Sequence, residues 1–311
     1  MPENQFVRNT HLTAIARAYR NSDSSLIADA VLPYSGVSAK TFRYYTYPLG
    51  QAYTVPATDL TEQGEIPQLK IRGTEVSATC TDRGLEVPLS NDELSEAAEG
   101  NDPKEVATVT SSSLLMLDRE KRVADLVLNP ANYDADHKVN LSGAPWSNDA
   151  NDPITVIRQA LDECMIRPNV FAIGRLAWTK VATNLNVIRA AFGSSAVSGV
   201  VTPARFAELI EVGEVLVGEA LINTAPSDTN GTVTLSRLWG KHALAFYRNR
   251  EAITAGGLTF GFTARLHNER IAQTRQIQMG LRGGIGVQVG ETAKEVIIAP
   301  DCAFLFQNTV A

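Results

Sequence analysis

The chain has 311 residues, 44% hydrophobic and 20% charged, which suits about two folded domains or one large body with extensions and argues against disorder. A formal net charge of −6 excludes a protein built to grip nucleic acid over its whole surface. Cys80, Cys164 and Cys302 are far apart and form no CxxC pair, which excludes a disulfide framework or zinc site and fits a reducing cytosol.

Residues 1–35 read as an N-terminal arm. Thr10–Asn21 predicts a short helix capped by Thr10, with Leu12, Ile15, Ala16 and Tyr19 on one face, followed by an extended segment through "DAVLPYSGV". The first 21 residues carry Arg8, Arg17 and Arg20 against Glu3 alone. That reads either as a solvated helix face or as an arm lying near something anionic. The polar residues after Met1 give no signal peptide, and no window approaches ~18 uninterrupted apolar residues, so no membrane association is expected.

In "PQLKIRGTEVSATCTDRGLEVPLS" apolar residues fall on odd numbers at Leu69 and Ile71, on even numbers at Val76, Ala78 and Cys80, then on odd numbers at Leu85, Val87 and Leu89. Side chains alternate along a strand, so each change of parity turns the chain over; the turnovers are expected at Gly73 and Gly84. "KTFRYYTYPLGQAYTVP" reads as the partner strand and the polar "ATDLTEQGEIP" as the connection. Residues ~40–90 thus describe a long bent two-stranded ribbon. Such a ribbon is poorly stable alone in water and needs a surface to lie on, which a neighbouring subunit can supply.

Ser90 and Glu93 predict a capping box opening a short helix that ends at Gly100. A helix of ~26 residues, about 39 Å long, follows, with Asp102 as cap, Pro103 in the first turn, Glu105 completing a box and Asn129-Pro130 as the stop. Val106, Val109, Leu117, Ala124, Val127 and Leu128 predict one buried stripe with Leu115 and Leu126 opposite, so this spine touches material on two sides. Asp118, Glu120 and Asp125 alternate with Arg119, Lys121 and Arg122, which reads as a salt-bridged helix surface or, more sharply, as pairing between subunits.

The loop "LSGAPWSNDANDP" is almost all turn-formers, yet it holds Trp146. An indole gains nothing in a solvated linker and buries ~150–250 Å² when pinned, so an ordered connection against a folded body is expected. The middle third alternates helix and strand as an α/β unit: helix "ITVIRQALDECMI", strand "NVFAIG", helix Leu176–Phe192, a small-residue loop, helix "ARFAELIEV" and strand "EVLVGEALIN". After the turn "PSDTNGT", the last fifty residues are strands. "LTFGFTAR" alternates, and so do Ile277, Met279, Leu281 and Ile285, Val287, Val289 about a Gly283-Gly284 hairpin; "EVIIAPDCAFLFQN" closes as buried strand.

Motifs that carry chemistry are missing. "WGKH" lacks the upstream glycine of a phosphate loop, "GGIGVQVG" has neither the spacing nor the following helix of a dinucleotide fingerprint, and no GxSxG occurs. His11, His137, His242 and His267 are isolated, and the cysteines read as small core residues. Neither a catalytic residue, a metal nor a cofactor is expected.

The order of parts — arm, bent ribbon, spine helix, α/β unit, closing antiparallel sheet — resembles the major capsid proteins of tailed bacteriophages, the α+β Hong Kong 97-like fold. The likeness is carried by "LTAIARAYRNSDSSLIADAVLP", "DREKRVADLVLNPANYD", "LSGAPWSNDANDP" and "RPNVFAIGRLAWTKVATNLNVI", and covers essentially the whole chain. It implies an N-arm at 1–35, an extended loop at 36–89 whose tip near Thr61, Glu62 and Glu65 reaches over a neighbour, a peripheral domain at 90–150 with its spine helix at 102–129 and return strands at 257–311, and an axial domain at 151–256. Trp146 would anchor the crossing between the two domains, Asp118, Arg119, Glu120 and Arg122 would serve structural or intersubunit contacts, and Arg8, Arg17 and Arg20 would lie near DNA. Loops near Gly193–Val201 and Pro226–Gly231 would face the capsomer axis or outer surface. The implied function is self-assembly, without enzymatic activity, into hexamers and pentamers of an icosahedral shell around a double-stranded DNA genome. Partners would be a separate scaffold protein, a portal and a cement protein, with assembly in the bacterial cytoplasm. Lys70, off the loop tip, leads to an expectation of non-covalent assembly. An encapsulin nanocompartment shell is the alternative, and a cytosolic α/β enzyme a more distant one.

Overall fold

The computed structural model describes residues 25–46, 54–56, 58–59, 72–97, 102–225, 233–251 and 257–311. The expected arm helix, Arg8, Arg17, Arg20, Thr61, Glu62, Glu65, Lys70 and the loop Pro226–Gly231 lie outside them.

The described chain starts with a helical turn, α1 (Ala28–Val31), where an extended segment was expected, and continues into β1 (Tyr34–Val37). Strands β2 (Thr41–Thr46) and β3 (Thr74–Thr79) form an antiparallel ribbon with Thr41 opposite Thr79. The next strand, β4 (Thr81–Ser90), leaves that ribbon for a different sheet. The turnover expected at Gly84 falls instead at the break around the buried Cys80: Val76 and Ala78 face inward before it, Arg83, Val87 and Leu89 after it. Gly84 lies opposite Gly290 in an unbroken ladder, where a Cβ would come within 3.3 Å of the Val289 carbonyl oxygen. Glycine there permits close strand approach, not a bend.

Helix α2 (Asn91–Ser95) has both bonds of the expected box, with the Glu93 N–H donating to Ser90 Oγ and the Ser90 N–H to the Glu93 carboxylate, but it ends at Glu96. The long helix α3 (Pro103–Val127) is capped by Asp102, which accepts from the Lys104 N–H. Its buried row is Ala107, Ser111, Leu115, Arg119, Glu120, Val123, Ala124 and Val127. This corrects the expected stripe: Val109 is exposed, and Leu115 belongs to the buried face. Small and charged residues fill five of its eight places, and a count of large apolar residues passes over them.

There follow β5 (Lys138–Asn140), α4 (Pro153–Glu163), capped by Asp152, and β6 (Val170–Gly174). The single helix expected at Leu176–Phe192 is two, α5 (Arg175–Val181) and α6 (Leu185–Phe192), with Asn184 between them accepting from the Asn186 and Val187 N–H groups. Thr202 caps α7 (Pro203–Ile210). The expected strand "EVLVGEALIN" also divides, into β7 (Glu214–Gly218) and β8 (Leu221–Asn223); β9 (Leu235–Arg237) and β10 (Ala243–Phe246) follow. The chain closes with β11 (Gly261–Leu266), β12 (Ile271–Ile277), β13 (Gly284–Ile297) and β14 (Ala303–Gln307). Met279 and Leu281 are not strand residues: they lie in the β12–β13 turn, where Gly280 and Gly283 take positive φ and make a longer connection than a two-glycine hairpin.

In the first sheet β13 is central, with β11 and β12 sharing one side, β4 on the other, and β1 parallel to β11. The second runs β5-β14-β10-β6-β7, so the expected α/β unit borrows two strands from outside residues 151–256. Both faces of this sheet are buried. Phe171, Ile173, Ala243, Phe304 and Phe306 meet α4 to α7, while Ala172, Leu244, Phe246 and Leu305 meet α3 and the segment Ile27–Leu32. The C-terminal half of α3 thus joins the two sheets.

Candidate functional site

The residues singled out on α3 converge on that junction. Arg119 is 3% and Glu120 0% exposed. Glu120 accepts three hydrogen bonds, from the Ile27 N–H at 2.9 Å, the Ala28 N–H at 2.7 Å and the Trp239 Nε1–H at 2.7 Å. Trp239 reaches this position only because residue 218 is glycine, since a Cβ there would stand 2.2 Å from the indole ring. Arg119 donates to the Leu32 carbonyl at 2.8 Å and to Thr263 Oγ1 at 3.1 Å, and pairs with Asp29. The guanidinium groups of Arg119 and Arg265 lie 3.6 and 3.8 Å from the Tyr34 ring centroid, within cation–π range. Arg122 pairs with Asp118 one turn back on α3 and with Glu295 of β13 at 2.9 Å.

Arg119 and Glu120, which read as helix surface, therefore sit inside the subunit and fasten segment 27–34 to the helix and both sheets, while Lys121 and Asp125 pair on the exposed face as expected. The signal available in the sequence was their spacing: Arg119 follows the buried Leu115 by four residues. Burial raises the Glu120 pKa, and the N–H donors and Arg119 pull it back only in part.

Trp146 is fully buried, its ring 5.4 Å from that of Phe306, and its backbone N–H donates to the Thr309 carbonyl at 2.7 Å. The loop around it is fastened by Asn184, whose Nδ2 donates to the Trp146 carbonyl at 3.0 Å while its Oδ1 caps α6. Sequence reading missed Asn184, although "TNLN" in the middle of an apolar helical pattern is a cap signal. Asn184→Ala removes the cap and the loop tie together and should cost about 2–3 kcal/mol in urea unfolding. Asn184→Asp keeps the cap but turns a carboxylate toward carbonyl oxygens and should also destabilise. A loss below about 0.5 kcal/mol for both would show that the loop is held by Trp146 packing alone.

Among the described residues no group of three or more His, Cys, Asp or Glu is placed to hold a metal ion, and no helix is long and apolar enough to cross a membrane. The buried thiols of Cys164 and Cys302 are pushed up to about 12 and about 11, which leaves them protonated and poor nucleophiles. Half-buried His242 has its pKa lowered by burial, and its Nδ1 accepts from the Asn308 N–H.

One surface segment stands out. From Ala190 to Ala204 the chain carries no charge, and within it Phe192, Val197 and Val200 are 59%, 80% and 67% exposed. The Phe192 ring packs over Gly199. An uncharged, apolar, exposed loop is the chemistry of a contact surface.

No family model matches the chain. It is 38% identical over 307 residues, 98% of each chain, to the major capsid protein of Pseudomonas phage JBD67. Among solved structures, a phage-related protein of Bordetella bronchiseptica RB50 superposes over 97% of each chain with a TM-score of 0.71 at 20% identity. The capsid of cyanophage P-SCSP1u matches over 88% of this chain and 85% of its own, with a TM-score of 0.56 at 12% identity. The SrpI encapsulin of Synechococcus elongatus PCC 7942 matches over 97% and 95%, with a TM-score of 0.54 at 13% identity. The fold is shared by phage capsid and encapsulin subunits alike.

Proposed function

From the premise that this chain belongs to the family of phage major capsid proteins, we propose that it self-assembles through hexamers and pentamers into an icosahedral shell enclosing the double-stranded DNA of a tailed phage. The observation that carries this reading is the 38% identity over 98% of both chains. The fold is consistent with both phage capsids and encapsulins, so the sequence relative, and not the superposition, favours the virus.

In this reading residues 1–35 are the arm, with Arg8, Arg17 and Arg20 making local, salt-sensitive contact with phosphate. Residues 36–89 are the extended loop, and Thr61, Glu62 and Glu65 its tip. Residues 90–150 and 257–311 form the peripheral domain of a Hong Kong 97-like subunit, and 151–256 the axial domain, whose sheet β5 and β14 complete. A separate scaffold, a portal and a cement protein complete the particle, which assembles in the host bacterial cytoplasm.

The uncharged loop at 190–204 suits a rotation axis, where each residue meets its own copies and any charge would meet its like. Val197→Asp should abolish rings and shells while leaving the thermal midpoint of the unassembled subunit within about 1 °C, because the side chain is exposed. Normal particles from this variant would remove the loop from the axis.

Particles recovered from the natural host should protect double-stranded DNA from nuclease. Particles filled with protein cargo and free of nucleic acid would favour the encapsulin reading.

A further inference from the structure

Glu291 of β13 is buried, and more positive charge gathers around it than one carboxylate neutralises. Its carboxylate is met by Arg270 at 3.3 Å, Arg265 at 3.8 Å and the Tyr34 hydroxyl at 3.3 Å. Arg83 of β4 stands directly opposite Glu291 in the antiparallel ladder, so the two side chains leave the same face of the sheet. Glu291 is drawn toward the β11–β12 side, and the Arg83 Nε–H is buried without an acceptor. The Nε–H groups of Arg265 and Arg270 are buried and unpartnered too. The other carboxylates nearby are taken: Asp29 by Arg119, and Asp118 and Glu295 by Arg122.

Two guanidinium groups on one carboxylate, with Arg83 opposite it in the ladder, leave an excess of positive charge. Water would satisfy an N–H but not the charge, and a metal cation would be repelled. An oxyanion supplies the missing charge, and the guanidinium fork of Arg83 matches its geometry.

We infer that Arg83, Arg265 and Arg270 form a binding site for an oxyanion of the carboxylate or phosphate class, with Arg83 as its uncommitted fork. The oxyanion is either free in solution or a carboxylate of a neighbouring copy; only the second source rests on the assembly reading.

The test is thermal unfolding of the unassembled full-length chain in inorganic phosphate against chloride at equal ionic strength. Phosphate should raise the midpoint by about 2–5 °C in wild type. Arg83→Gln should abolish that rise, and Arg83→Lys, which keeps the charge but not the fork, should retain part of it. Equal responses in wild type and both variants, or none in wild type, overturn the site. If Arg83→Gln fails to fold, calorimetric titration of wild type and Arg83→Lys with phosphate decides, and absence of saturable binding to wild type overturns it. Repeating the scan on assembled particles separates the sources: a persisting phosphate response marks a free anion, and its loss on assembly marks a neighbour's carboxylate. A chain that never assembles leaves the first arm decisive on its own.

Discussion

Replacing Trp146 with alanine should destabilise the subunit by about 3–5 kcal/mol and block formation of normal particles. The ring is wholly enclosed, packs on Phe306, and belongs to the cluster that also holds Phe171, Phe206 and Trp178. Alanine leaves a cavity among large side chains that cannot collapse without moving β14 or α6. The loop it anchors is otherwise turn-formers fastened by Asn184 and the Thr309 carbonyl. A second substitution separates packing from polarity. The indole Nε1–H is buried with no acceptor, so Trp146→Phe loses no hydrogen bond and should cost about half as much as alanine or less. Urea unfolding and electron microscopy of each variant check both effects. An alanine variant that forms equally stable particles would remove Trp146 from its anchoring role.

The second large effect is expected at Glu120. Glu120→Ala strands the Ile27, Ala28 and Trp239 N–H groups in the interior and should cost about 3–5 kcal/mol. Segment 27–34 should become the first site of proteolysis. Glu120→Gln keeps one acceptor oxygen for Ile27 and Trp239 but turns an amide donor toward the Ala28 N–H, so it too should destabilise, by less. The pH dependence has a definite sign. The folded-state pKa of Glu120 is raised, burial outweighing the donors and Arg119. Its titration thus contributes stability that is fully present below the ordinary carboxylate range and is lost as pH rises through the higher folded value. The advantage of wild type over Glu120→Gln should shrink with rising pH across that window. A gap that widens would mean the ionised form is the favoured one.

These two sites differ in how they were legible. Trp146 announced itself because a large apolar residue among turn-formers has few explanations other than burial. The caps at Ser90 and Asp102 were legible for a similar reason, since capping depends on residues within one turn. Arg119 and Glu120 were hidden, because charges on a helix default to solvent and their partners lie about ninety residues upstream at Ile27, Ala28 and Asp29 and more than a hundred downstream at Trp239. The same limit explains β4. Its alternation was visible, but its pairing with β13, some two hundred residues away, follows no local rule, and the strand was joined to the wrong ribbon. What survived such errors was the resemblance, which drew on the whole chain, and the major capsid protein of Pseudomonas phage JBD67 matches this chain along nearly all of it.

Self-assembly is the central claim, and electron microscopy with sedimentation of the purified protein, alone and with a scaffold from its source, tests it most directly. Five- or six-membered rings, tubes or closed shells are the predicted result. A discrete monomer or dimer under both conditions would contradict it.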